Sequence, residues 1–410
     1  MSFQQGLSGL NAASRNLEVI GNNVANASTV GFKASRAQFA DVYATTVAGS
    51  SQAQAGIGVV VNTVTQVFGQ GNLDITNNAL DVAVNGEGFF RLSKNGAISF
   101  TRNGQFEIDK NGYVSNTLGN QLTGYPVNPT TGKVLQTSSA APIKVDTADI
   151  SPRASTEAQL VANLDSRNAA LLPGSFNFND ASTYHNTTTV QIFDSLGNAH
   201  NLSLYFMKNA ANTWQVRAQL DGAAVAGGGV VGTINFGSDG QINTGTTTLP
   251  FPLSLTLGNG ATTPQAVNLQ FNRTTQFGSA FGVTSVVQDG YTSGRLLGFS
   301  IGSDGVIQGR YTNGQTRAQG QIVLASFVNN QGLQPLGNNG WAETSDSGQA
   351  LVGAPNSGSL GVLQSGALED SNTDLTGELV NMITAQRVYQ ANAQTIRTQD
   401  ALLQTLVTLR

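Results

Sequence analysis

The chain has 410 residues, which is enough for two or three domains with their own cores. Charged residues make up 11% of it and the net charge is −4, which argues against a basic nucleic-acid-binding or lipid-binding surface. Cysteine is absent, which excludes disulfides, thiolate metal sites and cysteine nucleophiles.

The first segment of the chain predicts an amphipathic helix of about 24 residues, because its apolar residues recur with heptad spacing. Gly31 is expected to end the turn that follows this helix. The start of the chain lacks the basic and apolar regions of a cleaved signal peptide, so we expect none. The predicted apolar face consists of Phe3, Leu7, Leu10, Leu17, Ile20 and Val24.

Residues 40–72 are rich in small and polar side chains, and the valines at 59–67 predict a strand. From residue 73 onward, Asn-Gly and Asp-Gly pairs separate short apolar runs, which is typical of antiparallel β-structure. Within the central stretch, 190–193 and 202–206 predict two strands joined by 194–198, and 227–232 predicts a flexible loop. Farther on, 321–327 predicts a single strand.

The last segment, 374–410, predicts a second and longer heptad helix. Asp374 is the expected N-cap, and Glu378 places negative charge in the first turn, where the helix dipole favours it. No run of 18 apolar residues occurs anywhere in the chain, so we expect no membrane insertion. The predicted apolar face consists of Leu375, Leu379, Met382, Tyr389, Ile396, Leu403 and Leu406.

The order of these patterns predicts a multidomain α+β protein. Paired, coiled-coil-like terminal helices enclose two mainly antiparallel β domains nested in sequence, in an elongated molecule. The expected inner domain joins 1–72 to 364–410. The expected middle domain joins 73–145 to 286–363, and 146–285 forms the outer domain. The two helices have many small apolar residues, so their burial against each other offsets little of the entropy of ordering them. We therefore expect them to order fully only in a polymer.

No residue pattern predicts catalysis, a cofactor or a metal ion, so we expect a protein that is not an enzyme. His185 and His200 lack the carboxylate or further histidine spacing of a metal site, and surface or loop roles are favoured for both. The segments 109–112 and 304–305 lack the alternating acids of a Ca²⁺ loop. The segment 85–88 lacks the Gly-Lys-Ser/Thr of a phosphate loop.

Several motifs resemble those of the bacterial flagellar rod, hook and hook-associated proteins. Near the start these are SGLNAA at 8–13, NNVAN at 22–26 and TVGFK at 29–33. In the first β-rich region they are DVAVNGEGFF at 81–90, TRNG at 101–104 and LTGYP at 122–126. In the last segment they include Leu368, Glu369, Ser371, Asn372, Asp374, Glu378, Tyr389, Asn392, Thr398 and Asp400.

Within that family, the hook branch is matched better than the distal rod branch. The segments that favour it are NLEVIG at 16–21, DSLGNAH at 194–200, QDGY at 288–291 and GQIVLA at 320–325. Glu18 stands where the family often has Asp. The length favours it as well, because rod proteins lack most of 146–285.

The resemblance implies a structural subunit that polymerises into a curved, flexible tube and transmits motor torque from rod to filament. It implies as partners other copies of the chain, the distal rod, hook-cap and hook–filament junction proteins, and the flagellar type III export apparatus. It implies an extracellular location in the basal body–hook complex, reached without a cleaved signal. Two alternatives stay open here. A distal rod protein would lack the second β domain, and a secreted β-rich adhesin or enzyme would be a stable monomer with a ligand pocket.

Overall fold

The structure is a computed structural model that describes residues 2–42, 56–128 and 131–408. Helix α1 spans Ser2–Ala25 and helix α2 spans Leu375–Thr408, which confirms both predicted helices. The Asp374 carboxylate accepts a hydrogen bond of 3.0 Å from the Thr376 amide and caps α2 as expected. Gly31 has a φ of +70° and ends the turn after α1. Residues 43–55 of the predicted connecting segment lie outside the described residues.

The strands follow in chain order. The first ten are β1 Ser35–Val42, β2 Gly58–Gln66, β3 Leu73–Ile75, β4 Val82–Asn85, β5 Phe89–Lys94, β6 Ala97–Thr101, β7 Glu107–Ile108, β8 Val114–Ser115, β9 Gln121–Tyr125 and β10 Ala141–Pro142. The next nine are β11 Glu157–Asn163, β12 Asn186–Phe193, β13 Ala199–Ala210, β14 Thr213–Leu220, β15 Ala223–Ala224, β16 Val230–Asn235, β17 Phe251–Leu255, β18 Gln265–Gln270 and β19 Gly282–Gln288. The last group is β20 Leu296–Ile301, β21 Val306–Tyr311, β22 Thr316–Ile322, β23 Leu324–Ser326, β24 Gln334–Gly337, β25 Gly340–Ala342, β26 Leu351–Gly353, β27 Val362–Ser365 and β28 Ala367–Glu369. Short 3₁₀ helices span Pro173–Ser175, Ala181–Thr183 and Asn330–Gly332.

The chain divides into two compact units. Unit 1 is drawn from 1–147, 298–310 and 316–410, and unit 2 from 148–297 and 311–315. Unit 1 therefore combines both terminal regions with the flanking β segments, whereas unit 2 comes from the middle of the chain. The division of unit 1 into an inner and a middle domain stays a prediction.

Unit 1 contains an antiparallel hairpin of β1 and β2 and a larger sheet in the order β20-β21-β22-β9-β5-β6-β25-β24. Strands β5 and β6 meet at Asn95 and Gly96, which have positive φ angles of 50° and 88°, as the Asn-Gly signal predicts. The largest apolar core of this unit is built around Phe90, Leu92 and Leu122.

The prediction of a single strand at 321–327 is wrong, because the strand is interrupted at Val323. Ile322 ends β22 and pairs with Gly124, while Leu324 begins β23 and pairs with Phe90. Ile322, Val323 and Leu324 are all fully buried. Three successive buried side chains do not fit the in-and-out alternation of a strand with one solvent face, so the chain passes from one pairing partner to another.

Unit 2 packs two sheets, ordered β17-β18-β11-β19 and β12-β13-β14-β15, the latter with β16 beside β14. Strands β12 and β13 form the antiparallel pair predicted around 194–198. Buried Trp214, Phe206 and Phe271 lie in the core. The loop predicted at 227–232 is only partly right, because Val230–Asn235 is β16 and pairs with β14.

Gly232 explains this difference. A Cβ added at Gly232 would lie 2.5 Å from Cε1 of the Phe251 ring. The glycine therefore serves ring packing in a strand rather than loop flexibility.

Candidate assembly surface and the junction of the chain ends

Helices α1 and α2 approach closely at two glycines of α1. A Cβ added at Gly6 would lie 3.2 Å from Ile396 Cγ1, and one at Gly9 would lie 2.8 Å from Asn392 Oδ1. Small side chains at such positions let two helix backbones come together. Ala385, also small, is buried on α2. The two helices thus approach each other most closely at small residues.

Half of the described members of the predicted apolar stripe are exposed in a single chain. Ile20 is buried. Leu10, Leu17, Val24, Met382 and Ile396 are half-buried, and the side chain of Leu406 lies outside what the structure describes. The exposed members are Phe3, Leu7, Leu375, Leu379, Tyr389 and Leu403. The structure therefore brings together only part of the predicted set, and the assembly role of the set stays a prediction.

Helix α2 also exposes apolar side chains that the heptad spacing does not predict. Val380, Ile383, Val388 and Leu402 lie off the predicted stripe, and each is about half exposed or more. A signal existed in the sequence, since Val380 and Ile383 are three positions apart and hence neighbours on a helix surface. The apolar surface of α2 is wider than a two-stranded coiled coil requires.

The β1–β2 hairpin lies against α1 through side-chain to backbone hydrogen bonds. Asn23 Nδ2 donates to the Ser35 carbonyl and Asn23 Oδ1 accepts from the Ser35 amide, both at 2.8 Å. Gln5 Nε2 donates to the Gly56 carbonyl at 2.6 Å. A groove of about 770 Å³ lies between α1, the hairpin and α2, and small or apolar residues such as Ala12 and Val388 form much of its wall.

A buried ion cluster joins three distant parts of unit 1. The Lys33 ammonium lies 2.6 Å from Glu369 Oε1, and Arg102 Nη1 lies 2.9 Å from Glu369 Oε2. The side chains of Lys33 and Glu369 are fully buried, and that of Arg102 is nearly so. Lys33 also donates to the Gly69 carbonyl at 2.7 Å. Because buried charges need partners, this geometry fixes all three side chains.

Burial and charge act in opposite directions on Lys33. Burial lowers the pKa of Lys33, the contact with Glu369 raises it, and the neighbouring Arg102 cation lowers it further, with a net result below the ordinary value. Two cations share one carboxylate, so the cluster carries a net charge of +1. Glu369 is therefore the carboxylate that pairs with both cations.

Lys33, Arg102 and Glu369 mark a junction between three parts of unit 1. Polar side chains stabilise the same junction. Asn372 Oδ1 accepts from the Ala34 amide at 2.8 Å, and Asn372 Nδ2 donates to the Val67 carbonyl at 2.7 Å. Asn339 Nδ2 donates to the Val30 carbonyl at 2.7 Å. Segments that leave α1 and enter α2 are thereby held at one place. The charges of this junction fall within TVGFK, TRNG and the Leu368-Glu369 pair, which the sequence presented only as separate motifs.

Unit 2 contains a second polar site around His200. His200 Nδ1 lies 2.6 Å from Asp221 Oδ2, and His200 Nε2 lies 3.3 Å from Oδ2 of buried Asp194. Asp194 also accepts from Asn198 Nδ2 at 2.9 Å and from Asn259 Nδ2 at 2.6 Å. Burial by itself would lower the pKa of His200, but the hydrogen bonds to both carboxylates outweigh it and the pKa is raised above 6.5. The site ties the β12–β13 turn to neighbouring loops.

His185, the other histidine of the chain, is held in a neutral form. Its Nε2 lies 2.9 Å from the Ala169 carbonyl, and its Nδ1 accepts from the Lys208 amide at 3.2 Å. Burial is the main reason that the pKa of His185 is lowered.

Within the described ranges, no three metal-ligating side chains are arranged to hold an ion, and no helix is long and apolar enough to cross a membrane.

Family models match four segments in chain order. They are described as Flagella basal body rod protein for 3–33 and Flagellar hook protein FlgE/F/G D1 domain for 83–157. Those that follow are Flagellar basal body protein FlaE D2 domain for 163–291 and Flagellar basal body rod FlgEFG protein C-terminal for 364–409. The first and last matches cover the two terminal helices.

Relatives extend this similarity over the full length. The chain is 44% identical over 415 residues to the flagellar hook protein FlgE of Salmonella typhimurium and 42% identical over 412 residues to that of Escherichia coli, with both proteins of each pair fully covered. A solved structure, the Helicobacter pylori flagellar hook protein FlgE2, is similar in fold, with a TM-score of 0.52 at 13% identity. The similarity to it spans 72% of this chain and 99% of that one.

Proposed function

The chain belongs to the flagellar hook protein family and is a structural subunit of the hook, and we propose that α1 and α2 are the elements through which its copies assemble. Unit 2, which comes from the middle of the chain, supports the hook over the distal-rod alternative, since that alternative would lack a second β domain. The full-length hook relatives likewise leave that alternative, and the adhesin alternative, without support.

The exposed apolar stripe of α2 is the observation that carries the assembly proposal. Leu375, Leu379 and Leu403 are each about half exposed in one chain. Burying a leucine fully contributes about 1.5–3 kcal/mol, so covering these side chains and their neighbours on α1 offsets a sizeable part of the cost of association. Other copies of the same chain are the partners we propose for this surface. On this proposal the helices become fully ordered only in the polymer.

We propose that the β-structure gives the tube its flexibility. Only 11% of the residues are charged, so contacts between copies rest on amides, hydroxyls and backbone rather than on strong ion pairs. Exposed ion pairs contribute little in any case. Many weak contacts allow neighbouring β regions to slide as a curved tube rotates, while the helices hold the tube together and carry torque.

The remaining family features are proposed in the same way. The distal rod, hook-cap and hook–filament junction proteins and the type III export apparatus are proposed as partners. The subunit is proposed to act outside the cell, after export without a cleaved signal, and to have a mechanical rather than a catalytic role. The exposed apolar faces of the helices support a mechanical role, since such faces suit a chain whose apolar surface is covered only when copies assemble.

Electron microscopy of the concentrated full-length protein tests the proposal. Curved tubes are the expected result. A chain that stays monomeric over a wide range of concentration and salt would contradict self-assembly through this surface. Comparison with a variant lacking 1–26 shows whether the tubes depend on α1. We expect that variant to form no tubes and to keep the thermal transition of its β-structure.

A further inference from the structure

We infer that Glu369 is a positioning residue that makes the packing of the N-terminal segment 29–35 conditional on the C-terminal segment 367–372. Both carboxylate oxygens of Glu369 are used, one by Lys33 and one by Arg102. Oε1 also accepts from the Gly71 amide at 2.9 Å. One side chain from near the end of the chain thus satisfies groups from three earlier segments.

Removing the negative charge would leave two buried cations without a counter-charge. Lys33 would keep the Gly69 carbonyl, and Arg102 would keep the Gly86 carbonyl at 2.8 Å and the Val84 carbonyl at 3.4 Å. Neutral carbonyls do not compensate the desolvation of a full charge. Removing one partner of a buried ion pair is far more destabilising than replacing both partners by apolar residues. The side chains of Lys33 and Arg102 therefore stay buried only while Glu369 is present.

Backbone geometry couples the same two segments. The Gly31 amide donates to the Glu369 carbonyl at 2.7 Å, and a Cβ added at Gly31 would lie 2.6 Å from the Asn103 amide nitrogen. Asn372 holds the Ala34 amide. Segment 29–35 is thus held by the carboxylate and the backbone carbonyl of Glu369 and by the side chain of Asn372, so the two segments order together.

This coupling has a consequence for the order in which the protein forms. Lys33 and Glu369 are 336 positions apart. A chain that emerges with its N-terminus first cannot complete the junction until almost all of it is available. If the chain follows the proposed export route, the junction would close only outside the cell. This consequence is the one part of the inference that rests on the proposed function.

Hydrogen–deuterium exchange of the full-length protein tests the coupling. In Glu369→Gln we expect exchange of 29–35 and 66–71 to become on the order of a hundredfold faster, while β13 and β14 of unit 2 keep their protection. Lys33→Met combined with Glu369→Gln removes one charge of each sign and should recover at least about tenfold of that protection. Glu87→Gln makes the same chemical change at an exposed site and should have no effect.

Two results would overturn the inference. One is exchange in Glu369→Gln within about twofold of the unchanged protein. The other is a double variant that exchanges no more slowly than Glu369→Gln alone. If Glu369→Gln loses protection throughout the chain, Glu369→Asp decides the matter because it retains the charge. Recovery in the aspartate variant supports the coupling, and an equal global loss contradicts it.

Discussion

The Lys33 ammonium lies 2.6 Å from a carboxylate oxygen of Glu369, although the two residues are 336 positions apart in the chain. With Arg102 they form a fully or nearly fully buried cluster. The segment that follows α1 and the segment that precedes α2 are thus fixed at one junction.

A charge within the apolar face of α2 should prevent assembly without unfolding the β-structure. Ile396 is half-buried, and its Cγ1 lies close to Gly6 of α1. We expect Ile396→Asp to lower tube yield at least about tenfold, because a carboxylate there would lose solvation whenever α1 or a second copy covers it. Electron microscopy and sedimentation measure the tube yield. Thermal denaturation, followed by circular dichroism at a wavelength characteristic of β-structure, shows whether the β-structure remains folded.

Gln394→Asp is the matched control for this variant. Gln394 is exposed on the same helix, two residues away. The Gln394→Asp substitution introduces the same charge and should leave tube formation unchanged. Normal tubes from Ile396→Asp would refute the assignment of this face to assembly.

Two glycines of α1 should respond in opposite directions to substitution. Gly21 has no heavy atom within 4 Å of an added Cβ, so Gly21→Ala should stabilise the helix by about 0.5–1 kcal/mol through the better helix propensity of alanine. Gly9→Leu should weaken helix pairing, because even a Cβ there lies 2.8 Å from Asn392 Oδ1. Exchange rates of α1 and α2 amides measure both effects. Slower exchange in Gly9→Leu would show that the helices do not pair at this glycine.

The two histidines should titrate on opposite sides of the ordinary value. Hydrogen bonds to Asp221 and Asp194 raise the pKa of His200 despite its burial, whereas burial lowers the pKa of His185. Titration of the imidazole signals by NMR should show His200 titrating above about pH 6.5 and His185 below it. A reversed order would contradict the described geometry of both sites.

The raised pKa of His200 also predicts how the stability of unit 2 depends on pH. Its contribution is fully present below about pH 6.5, the unfolded value, and is lost as the pH rises through the folded-state pKa. The free energy of unfolding should therefore fall as the pH rises above about 6.5 and through the raised folded-state pKa of His200. His200→Gln should flatten this dependence, and an unchanged slope in that variant would assign the effect to other groups.

A buried hydrogen bond in unit 2 should be measurable by substituting its acceptor. Trp214 is fully buried and its Nε1 donates to Gln276 Oε1 at 2.6 Å. Gln276→Leu leaves that N–H without a partner, so unit 2 should lose about 1–3 kcal/mol of stability. Denaturant unfolding monitored by tryptophan fluorescence measures the loss. Gln191→Leu, on an exposed position of β12, should stay within about 0.5 kcal/mol.

Local sequence was sufficient to locate the helices and several of the strands. The heptad recurrence that begins at Phe3 and the one that begins at Leu375 lie within α1 and α2 as observed, because side-chain periodicity depends only on backbone geometry. The Asn95-Gly96 turn was equally evident, since its positive φ angles suit those two residue types. The polar cap at Asp374 is another feature set by near neighbours in the chain.

Tertiary structure alone decided which faces are covered and which charges meet. The sequence indicates an apolar stripe on α2, but only packing shows that Ala385 is buried while Leu375 is exposed. Likewise, nothing local distinguishes Lys33, Arg102 and Glu369 from solvated surface charges. Their pairing depends on contacts across almost the whole chain, and the low dielectric of the interior that makes the pairing obligatory exists only once those distant segments have come together.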